Sequence, residues 1–288
     1  MSSGPSVAPA FPEDFPAVLP LLRRLDPRRE PEAWRPVFDY GWRRPDEPVG
    51  YILRDGGKVL GFIGTILSEM DVNGRPERFC NIGSWIVLDE ARGAGALLVM
   101  QLQRLGDTTI TSLTSNVQSA RVLLRLGFRE FDTAWTVLRP TRRMFVPGSG
   151  VGNAVLGDPE RIRPHLGEAD RRILDDHLPY AHHLLATGST GQCFAVYTLR
   201  TRWRLPTARF HYLSDHVQFP ELWPGIQRHL MHRHGSVLGE AESRLLAGIR
   251  VPGSMTKAMA GPRLFKSRRL RPEEVRELYS EVILLGLG

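Results

Sequence analysis

A five-residue stretch, Arg92-Gly93-Ala94-Gly95-Ala96, has residue types that suit the binding of an anion. It follows the apolar run 82–88, whose Ile, Val and Trp residues favour a strand, and it precedes leucines and a methionine at helical spacing. Backbone N–H groups at a helix start lack intrahelical partners, and glycines leave room for an anion to approach them. The stretch predicts a phosphate cradle, although similar turns also join strands to helices in proteins that bind nothing there.

A second segment, 116–128, supports this interpretation. Asn116 or Ser115 can cap a helix, and Gly127 suits the left-handed residue that ends one. The apolar stripe of this helix consists of Val122, Leu123 and Leu126. Phe128 follows the glycine, so the segment ends in Leu-Gly-Phe.

The order of strand, Arg-Gly-x-Gly turn, helix, strand, Asn-x-x-Ser, helix and Leu-Gly-Phe resembles the GNAT superfamily, the acyl-CoA N-acyltransferases. The resemblance covers about residues 49–139. It implies acetyl-CoA or another acyl-CoA as co-substrate, with its pyrophosphate on backbone N–H groups and its pantetheine arm between splayed strands. By this resemblance the cofactor-binding residues are Val87, Arg92, Gly93, Ala94, Gly95, Ala96, Leu97 and Asn116.

The sequence departs from the family pattern at three places. Leu97 stands where the family places Gly or Ala, and Leu123 stands where a tyrosine often protonates the leaving thiolate. Asn81, Gly83 and Ser84 occupy the neighbourhood of a carboxylate that takes the proton of the acceptor amine. The residues for binding the cofactor are therefore better preserved than those for catalysis.

Several other residues could supply the missing proton transfer. Ser84 is a candidate on the strand itself, and Glu69 and Asp71 are candidate bases at the end of the preceding strand. Asp176 and His177 form an alternative acid and imidazole pair. The competing interpretation of that pair is that it caps a helix and fills a domain surface.

The length of 288 residues suits two domains. We predict a GNAT-like acyl-CoA-binding domain over 1–142, a linker over 143–158, and a degenerate second copy over 159–288 in which the segment 214–220 replaces the cradle. The predicted fold class is α/β (α+β), with a mixed, mostly antiparallel sheet that is flanked by helices and duplicated. A helix over 272–285 is expected to close one of the sheets.

Composition limits the classes of partner. The formal net charge of +7 suits an anionic ligand such as coenzyme A, but the basic residues are scattered, which argues against nucleic acid. There is no apolar run of about 20 residues and no secretory signal, so no membrane association is expected. Cys80 and Cys193 are expected to be buried thiols in the cytoplasm, and His229, His232 and His234 lack neighbours that would complete a metal site.

The sequence thus predicts an acyltransferase that moves an acyl group, expected to be acetyl, from a coenzyme A thioester to an amine or hydroxyl of a small molecule or sugar. The alternative is a non-catalytic GNAT-fold protein that senses acyl-CoA or acts as a scaffold. A homodimer is compatible with either.

Overall fold

The computed structural model describes residues 4–131, 134–142 and 154–287. Contacts divide these residues into two compact units, one formed by 4–131 with 261–287 and the other by 134–260. Within the described residues each unit contains one seven-stranded sheet, mostly antiparallel, with helices around it. The predicted fold class is therefore confirmed.

The first unit contains the first six strands, the last strand and four of the α-helices. Its strands are β1 Ser6–Ala10, β2 Gly50–Asp55, β3 Lys58–Val72, β4 Arg75–Val87, β5 Thr109–Ser112, β6 Arg129–Glu130 and β14 Leu264–Lys266, in the sheet order β1-β2-β3-β4-β5-β14-β6. Its helices are α1 Phe15–Leu25, α2 Gly95–Leu102, α3 Val117–Arg125 and the single-turn α7 Glu281–Leu284. The 3-10 helices of this unit are Pro12–Asp14, Pro31–Val37, Asp89–Ala94 and Pro272–Glu274.

Local signals explain the central hairpins of this sheet. Gly56 and Gly57 have φ values of 53° and 85°, which the tight turn between β2 and β3 requires. Asn73 and Gly74 also have positive φ and join β3 to β4. The residue types Asp-Gly-Gly and Asn-Gly at these turns predict hairpins from the sequence alone. The predicted cap of α3 is confirmed, because Asn116 Oδ1 accepts the Ser119 N–H.

The second unit repeats the plan of the first. Its strands are β7 Ala134–Leu138, β8 Ala154–Leu156, β9 His182–Thr187, β10 Gln192–Arg202, β11 Leu205–Leu213, β12 Leu238–Glu242 and β13 Met255–Ala258, in the order β13-β7-β12-β11-β10-β9-β8. Its helices are α4 Pro159–Ile162, α5 Glu168–His177 and α6 Phe219–His234, with 3-10 helices at Arg163–His165 and Ser243–Leu246. In both units a strand leads through a helix to a parallel neighbour, β4 through α2 to β5 and β11 through α6 to β12.

The chain exchanges strands in a way that the sequence did not indicate. The expected first domain, 1–142, includes the residues of β7, but β7 lies between β12 and β13 in the second sheet. β14 comes from the C-terminal segment and fills the place between β5 and β6. The compact units thus differ from the expected division into 1–142 and 159–288, because 261–287 packs with the first unit.

Two further expectations need correction. Most of the predicted linker, residues 143–153, lies outside the described residues, but its end forms β8 and pairs with β9. The predicted helix over 272–285 is absent, and only its ends are helical. The cause is tertiary packing: Val275 is extended and buried, and the Tyr279 ring meets the Trp42 ring edge-on at 4.9 Å.

Candidate functional site

The first sheet opens between β4 and β5. These strands pair in parallel only at Phe79–Thr109, Cys80–Ile110 and Asn81–Thr111. β5 ends at Ser112, whereas β4 continues for six residues beyond Asn81. The pairing ends there, so the last part of β4 presents a backbone edge that has no β5 partner.

A β-bulge shapes β4 within this opening. The register with β3 places Ile63 opposite Trp85 and Thr65 opposite Ile82, so Gly83 and Ser84 together oppose one residue. An extra residue in a strand interrupts the hydrogen-bond ladder and redirects its backbone groups. The predicted site residue Ser84 lies at this bulge and is buried.

A cavity of about 260 Å³ lies at the opening. One wall is the bulged part of β4, and the facing wall is the segment between β5 and α3. Its lining residues are Leu25, Asp26, Arg29, Trp34, Ile82, Gly83, Ser84, Trp85, Ser112, Thr114, Ser115, Asn116, Ser119, Leu285 and Leu287. The structure therefore brings together Ser84 and Asn116, two residues that the sequence predicted.

The lining of the cavity includes Leu285 and Leu287 of the C-terminal segment. Arg29 Nη1 donates to the carbonyl of Leu285 at 3.0 Å, and the Arg29 guanidinium lies 5.3 Å from the Trp34 ring centroid. Arg29 also lies 3.6 Å from a carboxylate oxygen of Asp26. These contacts fix the C-terminal segment against the end of α1.

The predicted phosphate cradle differs in its backbone from the expected glycine turn. The 3-10 helix Asp89–Ala94 runs directly into α2, and Gly95 has a helical φ of −59° with its N–H bonded to the Arg92 carbonyl. Asp89 and Glu90 occupy its first turn, where the helix dipole favours acidic residues. Arg92 bonds Asp89 at 2.8 Å on the surface, and Glu90 bonds Lys58 at 2.6 Å.

Gly93 and Gly95 differ in the space that surrounds them. A Cβ on Gly95 would lie 3.2 Å from Val87 Cγ2, so α2 packs closely on β4 at this point. A Cβ on Gly93 would meet nothing within 4 Å. Gly93 and Ala94 line a second cavity of about 480 Å³, whereas the Leu97 side chain is 40% exposed.

The other predicted bases do not line the cavity between β4 and β5. Glu69 is opposite Arg78 in the β3–β4 ladder and bonds Arg44 at 3.4 Å. Asp71 accepts the Gly74 N–H at 2.8 Å and so stabilises the turn at the far end of that hairpin. Each is separated from Ile82 by several residues of strand, at about 3.3 Å per residue.

Asp176 and His177 belong to the second unit, whereas the cavity is formed by residues of the first. Asp176 lies 3.8 Å from Arg172, and His177 is fully buried with Nδ1 2.9 Å from the Ile173 carbonyl. These contacts fit the competing interpretation, a structural role at the end of α5. Leu123, at the position of the family's tyrosine, is completely buried in the core of the first unit.

Sequence reasoning missed a carboxylic acid at the opening. Glu281 is 0% exposed, and its Oε1 accepts a 2.8 Å hydrogen bond from the Thr114 hydroxyl. The Glu281 N–H donates to Asn81 Oδ1, and Gly83 approaches the Glu281 Cβ closely enough that an added Cβ would lie 3.8 Å away. Burial raises the pKa of Glu281 to about 8. The signal in the sequence was a glutamate that directly precedes the apolar run 282–285.

Within the described residues, no three His, Cys, Asp or Glu side chains meet as a potential metal site. None of the described helices has the length and apolar character needed to cross a membrane. Cys80 and Cys193 are free and buried, as expected.

Solved structures with the same architecture support the interpretation of the fold. A GCN5-related N-acetyltransferase from Anabaena variabilis has a TM-score of 0.61 at 11% identity, over 91% of this chain and 72% of that chain. Another from Kribbella flavida has a TM-score of 0.60 at 12% identity, over 92% and 71%. A probable N-acyltransferase from Enterococcus faecalis has a TM-score of 0.60 at 12% identity, over 94% of this chain and 74% of that chain.

The chain has a duplicated GNAT fold. The matches extend over both seven-stranded sheets, and the opening between β4 and β5 lies in the first copy of the fold. No family model and no curated protein matches the sequence. The fold is therefore shown by structure at identities of 11–12%.

The second copy of the GNAT fold differs at the start of its crossover helix. Asp215 Oδ1 accepts the N–H groups of Val217 and Gln218 at 2.9 and 3.0 Å. Both residues precede Phe219, where α6 begins, so the Asp215 carboxylate caps the turn that leads into this helix.

Proposed function

We propose that the first unit binds an acyl-CoA and transfers its acyl group to a small-molecule acceptor. The observation that carries this proposal is the opening between β4 and β5, because it combines an unpaired strand edge, a bulge and a cavity. In this account the pantetheine arm pairs with the end of β4 around Val87. A backbone N–H of the bulged strand polarises the thioester carbonyl.

The proposed pyrophosphate site is the segment Arg92 to Leu97, with Asn116 in contact with the arm of the cofactor. Open space above Gly93 supports this placement. The Arg92–Asp89 ion pair is 71% and 85% exposed at its two side chains. Exposed ion pairs contribute at most about 1 kcal/mol, so Arg92 can exchange its partner for a phosphate at little cost.

The proposed acyl group is short, such as acetyl, and the proposed acceptor is an amine or hydroxyl of a small molecule or sugar. The cavity volume of about 260 Å³ supports a short acyl group. Asp26 and Arg29 both line the cavity and lie 3.6 Å apart as an ion pair, so they offer polar groups to an amine or hydroxyl acceptor.

One observation favours a second candidate function, an acyl-CoA sensor without turnover. Leu123 is a core residue, so it offers no proton to the leaving thiolate. Such a protein would bind acetyl-CoA and release no thiol in the presence of amines.

Thermal unfolding with and without acetyl-CoA tests the binding site. A ligand at 100 times its Kd stabilises the folded state by about 2.7 kcal/mol, so the wild-type Tm should rise. Gly93→Phe should abolish the rise, because its side chain would occupy space that is open in the structure. Gly41→Phe is the matched control, since Gly41 is also unobstructed and lies in the same unit. A shift that survives Gly93→Phe would contradict the proposed site.

A further inference from the structure

The C-terminal segment supplies a carboxylate to the place where β4 has none. Asn81 on β4 holds α7 through its side chain: Oδ1 accepts the Glu281 N–H at 3.1 Å, and Nδ2 donates to Thr111 Oγ1 at 3.1 Å. Both Asn81 and Glu281 are buried. The side-chain amide of Asn81 therefore holds the backbone of Glu281 in place beside β4.

The Glu281 carboxyl reaches the cavity through one hydroxyl group. Thr114 lines the cavity and is exposed, while Glu281 lies behind it with no exposed surface. Thr114 Oγ1 donates to Glu281 Oε1, which leaves the lone pairs of the hydroxyl available to accept a bond from a molecule in the cavity. Among the described residues, Glu281 Oε2 is buried without a hydrogen-bond partner.

We propose that Thr114 and Glu281 form a proton relay for acyl transfer, in which Thr114 accepts a proton from the attacking amine and passes its own proton to Glu281. This inference rests on the proposed function. Thr114 is the catalytic residue, since it touches the acceptor, and Glu281 is a positioning residue that stores the proton.

Acyl transfer through the relay forms one C–N bond, breaks one C–S bond and moves two protons. The unprotonated amine nitrogen forms a bond to the thioester carbonyl carbon and loses one proton to Thr114 Oγ1, while the Thr114 proton moves to the ionised Glu281 carboxylate. The C–S bond then breaks, and the coenzyme A thiolate leaves with the electron pair and is protonated by water. Glu281 returns its proton to solvent when the products leave, so no other reactant is consumed.

The charges around Glu281 suit a base that works near neutral pH. Arg263 and Glu277 act on its pKa in opposite directions, and they bond each other at 2.8 Å. Burial dominates and raises the pKa of Glu281 to about 8, within the range where a general base is effective. Thr114 and Asn81 are the hydrogen-bonding groups that face it from the β5–α3 segment and from β4.

Thiol release from acetyl-CoA, with glucosamine and spermidine as acceptors, tests the relay. Glu281→Gln and Thr114→Val should each lower kcat by about 100-fold or more with the KM for acetyl-CoA changed less than about twofold. Thr114→Ser should keep the activity within about threefold, and the double variant should be no slower than either single variant, because the two groups act as one unit.

The pH profile separates a relay from a purely structural role. With one acceptor, the ratio of kcat/KM for wild type to kcat/KM for Glu281→Gln should rise with pH and level off above about 8, because deprotonation of the acceptor amine affects both proteins alike. Thr108→Val and Glu47→Gln are controls, since each removes one polar group of the first unit that does not line the cavity.

Two outcomes would overturn the relay. Equal kcat and an equal pH profile for Glu281→Gln and wild type would refute it while leaving the transferase intact. If wild-type protein neither gains Tm with acetyl-CoA nor releases thiol with either amine, the proposed function fails, and the relay fails with it.

Discussion

At the residue scale, the site depends on groups whose roles come from burial rather than from their type. Glu281 becomes a candidate base because α7 carries it into the core beside Thr114. Glu69 and Asp71 have the right chemistry but bond to Arg44 and to the hairpin turn. The presence of a carboxylate in the sequence therefore does not identify a catalytic base until its neighbours in the fold are known.

The buried Glu281 should cost stability, and Glu281→Gln should recover it. The pKa of Glu281 is raised from 4.5 to about 8, so the unfolded state loses its proton first as the pH rises. The free energy of unfolding of wild type relative to Glu281→Gln should therefore fall by about 1.4 kcal/mol per pH unit between pH 5 and pH 8. Urea denaturation of both proteins at these two pH values measures it, and a constant difference would show that the carboxyl group is not held neutral.

At the element scale, local signals predicted hairpins, caps and the strand–helix order, whereas partners distant in the sequence stayed hidden. The β2–β3 turn and the Asn116 cap depend on residues a few positions apart, and both were predictable. The places of β7 and β14 depend on pairing between segments more than 90 residues apart, as in Leu264 with Ser112. The relay was missed for the same reason, because Thr114 and Glu281 are separated by 167 positions.

The placement of β14 predicts which fragment folds. A fragment of residues 1–142 lacks β14 and α7, so it should show no cooperative unfolding by circular dichroism and no Tm shift with acetyl-CoA. Residues 1–131 joined to 261–288 by a short Gly/Ser linker should fold, because this protein contains all seven strands of the first sheet. A short linker is sufficient, since the Phe131 N–H bonds the Arg263 carbonyl at 3.2 Å and the two ends are therefore close together. Cooperative folding of 1–142 alone, with acetyl-CoA binding, would show that the C-terminal segment is dispensable.

At the scale of the whole molecule, the two units should respond to acid differently. Burial lowers the pKa of His183 to about 3 and that of His234 to about 4, and both belong to the second unit. Below about pH 6.5 these two histidines bind protons in the unfolded state but stay neutral in the folded state. The second unit therefore loses stability as the pH falls.

His183→Gln tests this acid sensitivity. The histidine is buried, and its removal should make the free energy of unfolding less dependent on pH by about 1.4 kcal/mol per unit between pH 6.5 and pH 5. Unfolding by urea at three pH values in this window measures the slope. An unchanged slope would mean that His183 titrates alike in both states.

The duplicated fold raises the question of how many copies bind a cofactor. In both units the strand before the crossover helix is bulged and extends beyond its pairing with the parallel neighbour, but in the first unit this opening has a described cavity and there is free space at Gly93. Isothermal titration of the full chain with acetyl-CoA measures this number. We expect one molecule bound per chain and none bound to Gly93→Phe. The absence of binding, two molecules per chain, or one molecule still bound to Gly93→Phe would show that the proposed site is wrong.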